Sequence, residues 1–216
     1  MSWFHGTPDV RALRESGGFT PRSENRRIVS DIPGLRAAKE HASEPGISDA
    51  EAMRRLGALE RFFSYEPVPV PVFLSARRDT AATYADDRRA WDYQNADPAV
   101  LEVGINAEAD LVIDAGRETF RGLRWPAIEA GLRKAGADPE AVRSVLEDRL
   151  QKPADGPIRV SDLGAALHLA GFAVVEVRNV IDTHTGRGKP DTVRMVFDMS
   201  LLEVPALAKP LEPAGP

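Results

Sequence analysis

The chain has no cysteine among its 216 residues, which excludes disulfides, thiolate nucleophiles and cysteine-held zinc. Its four histidines show no metal-ligating spacing with the carboxylates. There is no phosphate-cradling Gly-rich loop ending in Lys-Ser/Thr and no Gly-x-Ser-x-Gly elbow, so P-loop and serine-hydrolase readings lack support. No apolar run approaches membrane-spanning length, and no membrane partner is expected. A formal net charge of −5 gives no general attraction for nucleic acid or an anionic bilayer. Local pairs such as Arg26-Arg27, Arg77-Arg78 and Arg88-Arg89 could meet phosphates, although most such pairs are simply solvated.

What is present describes an ordinary globular protein, 43% hydrophobic and 28% charged. Residues 1–202 read as a single domain. Residues 203–216 hold Pro205, Pro210, Pro213 and Pro216 and read as a loose tail. The first strand starts at Trp3, leaving no room for a signal peptide, so the sequence predicts a cytoplasmic protein.

Short strands and helices alternate. A strand is predicted over 3–7 and a helical turn or two over 9–15, closed by Gly17-Gly18. Residues 21–45 are charged, Pro- and Gly-punctuated and only partly helical. Ser48 and Glu51 have capping-box spacing, and Met53, Leu56, Leu59, Phe62 and Phe63 recur at helical period. The prolines at 67, 69 and 71 demand extended chain, leading into a strand over 72–75 and a helix over 79–87. Strands over 99–106 and 111–113 read as a pair. Helices follow over 125–135, 139–150 and 161–170, the last with Ser161 as N-cap and Gly171 as its stop. A strand over 172–180, a Gly-rich loop over 182–190 and a strand over 192–198 complete an α+β pattern.

The most informative motif is Phe4-His5-Gly6-Thr7. It sets an imidazole on a strand whose next residue, lacking a Cβ, leaves the backbone open to close approach by a flat ligand. Val72-Phe73-Leu74-Ser75 then places an aromatic on a second strand, and Ala81-Ala82-Thr83-Tyr84 places one on the following helix.

This order of motifs resembles the ADP-ribosyltransferase superfamily, in its poly-ADP-ribose-polymerase-like and bacterial or bacteriophage branches, over residues 3–202. The resemblance implies a split mixed β-sheet core with flanking helices and NAD as cosubstrate. It implies an ADP-ribosyltransferase acting on a macromolecular target, with nucleic acid relevant only as such a target. The alternative is a catalytically impaired NAD- or ADP-ribosyl-binding or interaction module of the same fold. The resemblance assigns His5, Gly6, Thr7, Phe73, Ser75 and Tyr84 to NAD, with His5 and Tyr84 in catalytic positions. Gly6 would hold the carboxamide, Phe73 and Tyr84 would sandwich the pyridinium ring, and His5 would hydrogen-bond a ribose hydroxyl. Core packing is the competing reading for Phe73, sheet covering for Tyr84 and strand termination for Ser75. His184 reads as a solvated loop residue; His41 and His168 have no assigned role.

The family's catalytic Glu lies on a late strand and holds the ribose 2′-hydroxyl. The register of the last strand puts Val193 there. Asp191, two residues away on the same face, and Glu176 on the preceding strand are the candidate carboxylates. The Ser that family members carry one turn before the second aromatic is Ala81 here.

Overall fold

A computed structural model describes residues 2–42, 46, 48–85, 97–119, 122–181 and 189–207. Its strands are β1 (Trp3–Thr7), β2 (Arg22–Val29), β3 (Phe63–Val70), β4 (Val72–Ser75), β5 (Ala99–Val103), β6 (Leu111–Asp114), β7 (Val174–Ile181), β8 (Pro190–Val196) and β9 (Ala206–Leu207). Its helices are α1 (Arg11–Ser16), α2 (Ile32–Ala42), α3 (Asp49–Gly57), α4 (Arg78–Ala85), α5 (Trp125–Lys134), α6 (Pro139–Ser144) and α7 (Val160–Leu169). Seven strands form one mixed sheet in the order β6-β7-β8-β4-β1-β5-β9, and β2 and β3 form a separate two-stranded antiparallel sheet. Only β6 and β7 run parallel; the other neighbours in the large sheet are antiparallel. The α+β class read from the sequence is the observed one.

Local chemistry explains many of the element ends. Ser48 accepts the Glu51 N–H and starts α3, and Asp138 accepts the Glu140 N–H ahead of Pro139 and starts α6. Gly17 closes α1 at φ 73°, a left-handed backbone that costs glycine nothing.

One sheet face carries Leu111, Ile113, Val175, Val177, Val193 and Met195 into the larger core, against α5, α7 and the turn around Leu146. The other face carries Trp3, Leu74, Leu101, Val103, Val174 and Val196 against α1 and the 105–109 loop. Each such fully buried aliphatic contributes about 1.5–3 kcal/mol.

Four sequence readings change. The charged stretch after Pro21 contains a full strand, β2, paired residue for residue with β3. Its side chains up to Arg27 stay mostly exposed, so only Ile28 and Val29 carried an apolar signal. β5 and β6 do not pair: β5 lies between β1 and β9, and β6 receives β7 after the helical crossover. Long-range parallel pairing leaves no mark in the turn between two adjacent segments. Helix α7 starts at Val160 with Arg159 as its uncapped N-cap, so Ser161 lies within its first turn. The segment read as a loose tail is tied down as far as Leu207. Glu203 N–H bonds Gly104 C=O, and β9 adds to the sheet edge through Leu101↔Leu207 and Glu102↔Ala206. Residues 208–216 lie outside the described residues, as do Arg88-Arg89 and most of the 182–190 loop, including His184.

Candidate functional site

β1 and β4 are neighbours joined by a single registered pair, Phe4↔Ser75, whereas β1 pairs with β5 along its whole length. Beyond that pair the ladder between β1 and β4 stops. His5 stands at the parting: its Nδ1 donates to the Phe73 carbonyl at 3.0 Å, a side-chain bond in place of a ladder bond. Since a carbonyl only accepts, the neutral ring carries its proton on Nδ1 and presents Nε2 as an acceptor. Nε2 has no hydrogen-bond partner among the described residues and is not sealed from solvent. Burial lowers the pKa of His5, the bond to Phe73 opposes this, and the nearby Arg22 charge adds to it. His5 is therefore a neutral acceptor where β1 and β4 part.

The other residues of the motif divide between the two sheet faces. Alternation puts His5 and Thr7 on the face of Trp3, and Phe4 and Gly6 on the face covered by α4. Thr7 is buried and its hydroxyl donates to the Asp9 carbonyl, closing the strand end. A Cβ on Gly6 would run into the Ala81 carbonyl oxygen, so this glycine serves the close approach of α4 to β1. That packing uses the side of Gly6 the sequence reading left open for a ligand. Phe73 is half-buried against the larger core, as the packing reading anticipates, and Tyr84 is half-buried on α4.

Ser75 belongs to a buried cluster. Its hydroxyl donates to Asp191 and meets the Arg77 backbone at both N–H and C=O. Asp191, 4% exposed, also accepts from the Thr192 N–H and the Thr80 hydroxyl. Burial raises its pKa, and the hydroxyl and amide donors offset only part of that. Asp191 thus pins the start of β8 to the end of β4 and the first turn of α4, on the face away from His5. Val193, 5% exposed, is set in the larger core between Ser75 and Val177.

Glu176 shares His5's face but stands three strands away, with Arg194 and Leu74 between them. Both its oxygens are engaged, at 2.6 Å by Arg178 and at 2.8 Å by Arg194, whose guanidinium lies over the Trp3 ring. Burial pushes its pKa up, but these two guanidinium bonds outweigh that and hold it below the usual value.

Several contributors escaped the sequence reading. Phe19 meets the His5 ring edge-on at 5.1 Å; an isolated aromatic after two glycines has no periodicity to expose it. Arg194 could have been found as the cross-strand partner of an acid on an apolar strand. Arg78 opens α4 with a buried Nε that no acceptor among the described residues meets. Two clefts lie elsewhere: one of about 500 Å³ beside Trp125 and Pro157, and one of about 220 Å³ between Leu13, Leu101 and Val204. No group of His, Asp and Glu among the described residues could hold a metal ion, and no described helix is long and apolar enough to cross a membrane. No protein-family model, curated protein or solved structure matches the chain.

Proposed function

We propose that this chain is an ADP-ribosyltransferase-like protein that binds NAD, or an ADP-ribosyl group, at the parting of β1 and β4, with impaired cleavage chemistry. The observation that carries the reading is the strand order. The strands bearing His5-Gly6, Phe73 and Asp191-Val193 are consecutive neighbours, β1, β4 and β8, and the first two part beside His5 Nε2, which has no partner among the described residues. Nε2 would accept from a ribose hydroxyl, and Arg22, whose charge acts on His5, and Arg78, whose buried Nε meets no acceptor among the described residues, are cations that could meet the pyrophosphate. Impairment is favoured because Val193 packs into the core, Glu176 is held by two guanidiniums and Asp191 is held by hydroxyl and amide donors. None of the three is left to offset an oxocarbenium-like charge.

NAD is expected to raise the melting temperature of the wild type by mass action, and His5→Ala to remove that response while the unliganded protein stays folded. An NAD response that survives His5→Ala takes His5 out of the site. A second reading, transfer of ADP-ribose to a macromolecular target, is favoured by one observation: the buried Asp191 is the second residue of β8, the strand next to β4. On that reading the wild type releases nicotinamide from NAD and Asp191→Asn does not. Under the first reading neither does.

A further inference from the structure

The two-stranded β2-β3 sheet has two edges of opposite character. A proline has no N–H to donate, so Pro67 and Pro69 can occupy only the non-hydrogen-bonded pairs Asn25↔Pro67 and Ser23↔Pro69. The bonds between the strands then run through Arg22, Glu24, Arg26 and Ile28 on β2. The outer edge of β3 lacks two N–H groups and cannot extend the sheet. The outer edge of β2 keeps the N–H and C=O of Ser23, Asn25 and Arg27. Among the described residues no backbone or side-chain partner meets them, and all three side chains are exposed. Along Arg22–Arg27 β2 has no proline and no bulge, and its remaining defence is charge, which Glu24 and Arg26 carry in opposite signs.

The side chains of β2 are complementary to themselves when reversed. We infer that two copies of this chain pair edge to edge through β2, antiparallel about a two-fold axis at Asn25. Asn25 then faces Asn25, and Ser23 faces Arg27, at hydrogen-bonded positions, giving up to about six bonds from the groups now unpaired. Between them Glu24 of one copy stands opposite Arg26 of the other, twice, at the closer non-hydrogen-bonded pairs. Glu24 and Arg26 already touch at 3.0 Å within the strand, so the dyad closes a ring of four alternating charges. Arg26 is held in place from behind by Asp162 on α7 at 2.8 Å. The occupant is a second copy because a one-residue slip or a parallel arrangement would lose this charge match.

The proposal is independent of NAD binding and is tested by mass. A short edge-to-edge contact belongs with weak interfaces, so association is sought between about 10 μM and 1 mM. The full chain's weight-average mass by sedimentation equilibrium should rise from 23.5 kDa toward twice that value. Asn25→Pro removes one outward N–H that β3 does not use, in the way Pro67 does opposite, and should weaken association at least tenfold with the melting temperature kept. Glu24→Lys, an exposed change that sets cation against cation at both pairs, should do the same. A wild type that stays monomeric throughout overturns the proposal, as does association that both folded variants retain.

Discussion

Glu176 and Asp191 are both acids buried in neighbouring strands of one sheet, yet their surroundings push them in opposite directions. Glu176 meets guanidiniums, which stabilise its charge more than burial disfavours it, and its pKa is lowered. Asp191 meets hydroxyls and an amide, with the Arg77 charge acting on it only without a hydrogen bond, and burial outweighs them all and raises its pKa. Burial alone therefore does not mark a catalytic carboxylate; the charge of the partner decides what the acid can do. Glu176 is part of an ion pair that locks β7 to β8 under Trp3. Asp191 is nearer to a group that could change its proton, but its donors keep it turned to Ser75 and Thr80.

The strongest way to break the comparison is to add a third acid with neither kind of partner. Val193→Glu, which the family's pattern would suggest as a repair, should instead cost about 3–5 kcal/mol because the new carboxylate enters a packed core uncompensated. Denaturant unfolding measures this, and a stable variant would show that position 193 opens toward the proposed NAD site instead of the core. Next in size is Arg194→Ala. It leaves Glu176 with the more exposed Arg178 alone and should cost about 3 kcal/mol at neutral pH.

That loss carries its own pH signature. A lowered pKa contributes stability above the ordinary glutamate value of 4.5 that is lost as pH falls through the folded value. The gap between wild type and Arg194→Ala should therefore narrow in acid. The smallest effect is Asp191→Asn. A raised pKa gives stability that is full below the ordinary aspartate value of 3.8 and is lost as pH rises through the folded value. The variant should be more stable than the wild type at pH 7 by about 1 kcal/mol or less, with the difference closing as pH falls toward 3.8. A difference that widens in acid would mean the charged form of Asp191 is the one the fold favours.

Much of the frame was legible along the chain. Ser48, Gly17 and Gly171 marked element ends because caps and left-handed turns act within a few residues. The prolines at 67, 69 and 71 announced an extended segment for the same reason. The strand that pairs with that segment, β2, was not legible, since a strand with polar side chains on exposed backbone shows no apolar alternation. At the candidate site, His5 was legible as a strand-end imidazole, whereas its bond to the Phe73 carbonyl joins residues 68 apart in the chain. The motif also suggested that Gly6 opens the backbone to a ligand, and only the approach of Ala81 shows what fills that side.

By itself the sequence determined the α+β class, the ends of most elements and the residue types available for chemistry, because propensity, capping and periodicity are local. The tertiary structure decided which strands are neighbours, where β1 and β4 part and which cation each acid meets. Those depend on pairings between distant segments, and such pairings are selected by burial of the whole sheet.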